Sequence, residues 1–257
     1  SLPTTPLLEE PVDRDEFSAH MVDMLGLDEI TRGLNTSNLS VRVIFDGQEW
    51  GHKVQRLLLT DPLVGTFSAI LMLPNQPGLR PAIQAIHGHG TEAADWFDGW
   101  GAADFVDAGY VVMATDHRML YANEAESEVG RYLLLNGLTL QGVHIYEILL
   151  AQKYLRSLPA VDPWRIGIIG HSAGGAKVNA LVRGFDAYGA AMSDVTTYVG
   201  WEGETQQYHE AFIPEIWPWQ DLMNDVSTLD LPFERHEYGY PLGTSHSIDF
   251  FDEALGE

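Results

Sequence analysis

The sequence predicts an α/β fold: a central, mostly parallel twisted sheet with antiparallel strands at its N-terminal side and helices on both faces. Three observations predict it. Three β-rich segments follow one another at 41–46, 53–60 and 66–73, separated by turn residues such as Asp46-Gly47 and Asp61-Pro62. From residue 81 onward, short apolar strand-like runs alternate with helix-like stretches, the pattern of βαβ units and a parallel sheet. One of those strand-to-helix junctions carries Gly170-His171-Ser172-Ala173-Gly174, a Gly-x-Ser-x-Gly pattern.

The elements are expected in this order. Residues 1–40 are polar and Pro-punctuated, with a helix-like pattern at 14–25, and read as an N-terminal arm packed on one domain spanning 41–257. After the three leading strands comes an apolar run at 81–87 ending in His87-Gly88-His89-Gly90. A helix is expected over 96–108, stopped by Gly109, and a strand over 110–115. Leu, Ile and Tyr recur at helical spacing over 138–158, and Pro159 and Asp162-Pro163 end that helix. A strand at 165–169, a helix at 172–184 and a strand at 188–193 follow. The closing pieces are a loop with a short helix at 213–225, a final strand at 231–240 and a helix at 247–255. Antiparallel strands followed by parallel units is the order of the α/β-hydrolase fold.

Bulk composition excludes several functions. The 257 residues include no Cys, so disulfides and thiolate metal sites are ruled out. With 37 acidic against 14 basic residues the formal net charge is −23, which repels phosphate backbones and anionic membranes. Nucleic-acid and membrane partners are therefore not expected. A small-molecule or carbohydrate partner is. The start at Ser1-Leu2-Pro3 and the acidic surface hint at a secreted or periplasmic protein. Oligomeric state is not legible.

Ser172 is the candidate nucleophile. A sharp strand-to-helix turn lifts a serine hydroxyl into the open, and flanking glycines let the chains approach. The helix N-terminus below favours developing negative charge. A Gly-rich βα turn with an incidental Ser is the bland alternative. The oxyanion hole is assigned to the backbone N–H groups of Ala173 and His89, with Gly88 allowing the tight loop. A His87-x-His89 metal site, with Glu92 or Asp95 as a third ligand, is weighed and set aside, so no metal or cofactor is expected. His87 reads as a buried brace.

The base is expected after the last strand, and His246 meets this in Leu242-Gly243-Thr244-Ser245-His246-Ser247. His236 falls inside a strand and reads as structural; His209 is a rival. Asp194 ends the strand beyond the nucleophile helix and is the candidate acid, with Glu202, Asp225 and Asp230 as alternatives. Gly88, His171 and Trp201 are expected to line the substrate site. Trp96, Trp100, Trp217 and Trp219 could stack on a sugar but more often pack.

Residues 81–181 resemble bacterial dienelactone-hydrolase-like and acetyl-xylan-esterase-like α/β hydrolases. The similar pieces are His87-Gly88-His89-Gly90, Thr115-Asp116-His117-Arg118, Leu138-Thr139-Leu140-Gln141-Gly142 and Val161-Asp162-Pro163-Trp164-Arg165-Ile166-Gly167. Ile213-Pro214-Glu215-Ile216-Trp217 echoes them too, after which the chain is shortened where such proteins carry the acid. Glucuronoyl esterases are similar to this group, and their acid sits where Asp194 falls. Their nucleophile is followed by Arg, however, and here Ala173 stands there, so that specificity is not implied. The resemblance implies a serine esterase with a Ser172–His246–Asp194 triad. The alternatives are a catalytically weak binding protein on the same fold, or an amidase or acyltransferase.

Overall fold

The structure is a computed structural model that describes residues 38–118, 123–194, 225, 227, 229–237 and 239–256, with Ala19, Val22 and Asp23. The expected N-terminal arm and the segment at 213–225 lie outside the described residues except for isolated positions. Among the described residues, eight strands form one sheet in the order β1-β2-β3-β5-β4-β6-β7-β8. The first three, β1 (Ser40–Glu49), β2 (His52–Asp61) and β3 (Gly65–Leu73), pair antiparallel. The rest, β4 (Arg80–Ile86), β5 (Val111–Thr115), β6 (Val161–Gly170), β7 (Ala190–Ser193) and β8 (Phe233–Arg235), pair parallel with one another, and β5 meets β3 antiparallel. This is the α/β-hydrolase fold, as the order of elements predicted.

Two apolar layers flank the sheet, because successive strand residues point to opposite faces. Val111 and Met113 join the layer under α4 (Leu140–Ser157) and α5 (Ala173–Gly184). Val112 and Ala114 join the layer under α1 (Asp95–Asp98), α2 (Ala102–Asp107) and α6 (Ser245–Leu255). Ile145, Ile148 and Leu150 of α4 are fully buried, each side chain contributing about 1.5–3 kcal/mol. Thr139 caps α4, its side chain accepting from the Gly142 N–H. Among the described residues no single helix is long and apolar enough to cross a membrane.

Two helical expectations need correction. The helix expected over 96–108 is two short helices, α1 and α2. Gly101 between them has φ +90°, and a Cβ there would lie 2.2 Å from the Gly243 carbonyl oxygen, so a backbone-to-backbone contact breaks the helix. A further helix, α3 (Asn123–Leu135), is absent from the sequence-based expectations. Its first half runs Asn123-Glu124-Ala125-Glu126-Ser127-Glu128, with Ala125 the one apolar residue, so that half carries no apolar pattern to announce a helix.

α6 is seated by glycines. A Cβ at Gly167 of β6 would lie 2.6 Å from the Phe251 ring, and one at Gly189 2.9 Å from Leu255. The start of α6, where His246 sits, is thereby fixed against β6 and β7.

Candidate active site

Five parallel strands end on one edge, and each is followed by a polar or catalytic-type residue: His87 after β4, Asp116 after β5, His171 and Ser172 after β6, Asp194 after β7 and His236 after β8. Sites on parallel sheets gather at such edges.

Ser172 stands between β6 and α5 with φ 51° and ψ −119°. A non-glycine residue held there costs on the order of 1–3 kcal/mol, which the surroundings must offset. They do so by packing and hydrogen bonding. A Cβ at Gly170 would lie 2.5 Å from the Gly174 oxygen, and one at Gly174 would lie 2.3 Å from the Ile86 oxygen. Both outer glycines of the motif are thus required by close backbone approach. The Ser172 N–H donates to Asp194 Oδ1 at 2.6 Å, and His171 Nδ1 lies 2.5 Å from Asp194 Oδ2. Asp194 is fully buried, with both oxygens engaged by the elbow. His171 meets the edge of Trp100, ring centroids 4.5 Å apart.

The loop at 87–90, expected to hold an oxyanion, lies beside this turn. A Cβ at Gly88 would come within 2.9 Å of Ser172 Cβ, so the loop passes against the serine and needs glycine. Ala173 opens α5, where N–H groups lack intrahelical acceptors. His89 Nε2 lies 2.9 Å from the buried carboxylate of Glu126 in α3. His87 is a brace: its Nδ1–H donates to the Gly88 oxygen and its Nε2 accepts from the His117 N–H, at 2.9 and 3.1 Å. Burial lowers its pKa to about 4, so it is neutral in a single tautomer. His117 stacks on it with ring centroids 4.8 Å apart, and His144 lies tilted 5.3 Å from His117; burial lowers both well below the usual range. Both His87 nitrogens are thus used, and His89 Nε2 is on Glu126.

His246, in the first turn of α6, is about half exposed and places Nε2 2.6 Å from Glu234 Oε1. The structure therefore brings His246 together with Glu234 and not with Asp194. Glu234 is not among the residues that the sequence singles out. Its signal lies in the expected final strand: Met192 pairs with Glu234 and Ala191 with Phe233, so alternation puts Glu234 and His236 on the α6 face. Of the other acids, Asp225 accepts from the Ser227 N–H and Oγ, and those bonds lower its pKa. Trp96 is buried in the core, whereas Trp100 is partly exposed beside the elbow. Trp201, Glu202, His209, Trp217 and Trp219 lie outside the described residues.

The comparisons with known proteins agree on the architecture. The Prolyl oligopeptidase family matches residues 96–222. "Putative hydrolase YtaP" of Bacillus subtilis (strain 168) is 36% identical over 111 residues, which is 38% of this chain and 37% of that protein. The match thus spans just over a third of that relative's length. An acetyl xylan esterase from Paenibacillus sp. R4 superposes with TM-score 0.64 at 14% identity, covering 97% of each chain. Acetyl Xylan Esterase 1 from Thermoanaerobacterium sp. JW/SL YS485 superposes with TM-score 0.60 at 14% identity, covering 96% of this chain and 95% of its own. At such identities the likeness speaks to the fold.

Proposed function

We propose, on the premise that this chain has the α/β-hydrolase fold, that it hydrolyses carboxylic esters through an acyl-enzyme on Ser172. The observation that carries this reading is the strained Ser172 backbone at the tip of β6, with Asp194 holding its N–H. Strained backbone of this kind clusters at functional sites.

In this reading Ser172 Oγ attacks the ester carbonyl carbon and gives its proton to His246. The carbonyl oxygen becomes an anion held by the N–H groups of Ala173 and His89. Collapse breaks the bond to the alcohol, which leaves with the proton from His246, and water then releases the acid by the same steps. Glu234 takes the acid's part, because it is the carboxylate on His246. Bonded at Nε2, it leaves Nδ1 as the proton acceptor and stabilises the charged ring. Asp194 instead keeps the elbow in shape. His246 bonds Glu234 rather than Ser172 here, and such contacts often tighten only with substrate bound. Trp100 and His171 offer an aromatic wall for a small or carbohydrate alcohol.

The exposed His246 also motivates a second reading, a binding protein with little turnover. A fluorophosphonate probe separates the two. Labelling of the wild type but not of Ser172→Ala, with hydrolysis of p-nitrophenyl acetate or acetylated xylan, supports the esterase. An unlabelled, correctly folded wild type leaves the binding protein.

A further inference from the structure

We infer that Glu234, His236 and His246 form a binding site for a divalent transition-metal ion of the zinc class. Resting on the esterase reading, we infer also that an ion held there takes His246 out of the reaction. The three ligand atoms come from three positions of one corner: β8, the residue after it and the first turn of α6. They all lie within 4.8 Å of one another. Two imidazole nitrogens and one carboxylate oxygen is a donor set that zinc takes at about 2.0–2.2 Å, with a fourth position left to water.

The convergence is specific. Both Nε2 atoms approach the same oxygen, Glu234 Oε1, at 2.6 Å from His246 and 2.7 Å from His236. The His236 contact is short but badly aimed, and its Nε2 is a buried atom with no well-directed hydrogen bond. A buried nitrogen left so is costly unless something else completes it. A cation between the three groups would do so once Oε1 shifts enough for each ligand atom to sit at about 2.0–2.2 Å from it.

The ligands are also held in advance. The His236 ring lies flat on Tyr240, centroids 3.6 Å apart and planes 7° apart. The His246 ring stands edge-on to both, at 5.6 and 6.2 Å. The His236 backbone N–H donates to the Ser193 oxygen at 2.8 Å, which extends the β8 ladder. A chain of net charge −23 favours a cation over long range.

The ion occupies the nitrogen and the carboxylate that would otherwise hold the imidazolium, so bound metal inhibits. Zn²⁺ is titrated into chelator-stripped wild type, Ser172→Ala and His236→Gln, with binding read by competition with a chromophoric chelator. Hydrolysis of p-nitrophenyl acetate is followed in parallel. One ion should bind to wild type and to Ser172→Ala, and at least about tenfold more weakly to His236→Gln. Measured against its own metal-free rate, His236→Gln should need at least about tenfold more Zn²⁺ for half-inhibition than wild type. Co²⁺ in wild type should give visible bands of a low-coordinate site. Equal Zn²⁺ affinity in wild type and His236→Gln, or no binding, would overturn the site. Saturating Zn²⁺ that leaves hydrolysis unchanged would overturn the inhibition. A protein that binds Zn²⁺ in this pattern but hydrolyses no ester would refute the esterase reading and leave the metal site standing.

Discussion

The two halves of the site are built in different ways. The nucleophile half, from Gly170 to Asp194, is set by backbone: glycines where a Cβ would meet a carbonyl oxygen at 2.3–2.5 Å, a serine at φ 51° and a buried carboxylate on its N–H. In the half after β8 the decisive contact is between side chains, with a partly exposed His246 on a carboxylate that is itself only partly buried. Backbone contacts of the first kind tolerate almost no substitution, whereas side-chain contacts of the second kind can be made, broken or shared with another ligand. In the proposed mechanism the first half fixes where attack occurs and the second supplies the base for it.

Ser172→Ala tests the first half most severely. It should cost on the order of 10⁶ in kcat if nucleophile and base act as a unit. It removes only the hydroxyl, so the fold should survive by circular dichroism. Most of the activity remaining in a folded variant would end the serine mechanism.

The second half answers to His246→Ala and Glu234→Gln. His246→Ala should be nearly as damaging as loss of the serine. Glu234→Gln should cost roughly 10⁴ in kcat, the scale for neutralising the acid of such a relay. Asp194→Asn should behave differently. It keeps an oxygen for the Ser172 N–H but loses the charge beside His171, so it should lower the melting temperature while turnover falls by only about tenfold. Kinetics on the three variants side by side decide the matter. If Asp194→Asn is the one that loses 10⁴ at unchanged stability, Asp194 is the acid and Glu234 is not.

That contrast also explains what is legible in the sequence. The elbow is readable because its demands are local: strand, glycine, serine, glycine and helix within about 20 residues. The sheet is readable because alternation of apolar runs survives without knowledge of partners. The partner of His246 is not. Glu234 and His246 are twelve residues apart, and they meet only because Phe251 and Leu255 seat α6 against Gly167 and Gly189. The break at Gly101 is hidden for the same reason, since it depends on Gly243 arriving from the far end of the chain. The Asp194 position at the end of β7 is readable, but its hydrogen bonds to the elbow are not.

The mildest effect concerns stability rather than turnover, and it arises in the histidines packed beside the nucleophile half. His87 is neutral when folded, with its pKa lowered from 6.5 to about 4 by burial. The unfolded chain binds the proton first, so stability is present above about pH 6.5 and is lost as pH falls towards 4. The shift corresponds to about 3 kcal/mol at the acid end. His117 and His144, buried behind it, push the same way. Glu147 opposes them. Burial raises its pKa from 4.5 to about 7, although Arg118 beside it pulls the other way. A raised acid gives stability below the unfolded value and loses it as pH rises through about 7. Three histidines against one glutamate leave a net loss on acidification. Urea unfolding at about pH 7 and about pH 4.5 should therefore show a lower stability at the acid end. His87→Gln should flatten that difference, because it leaves the unfolded chain without the proton-binding group. Glu147→Gln should steepen it. An unchanged pH slope in His87→Gln would mean that the histidine column is solvated in the folded protein, and the brace beneath the oxyanion loop would then be far softer than its packing implies.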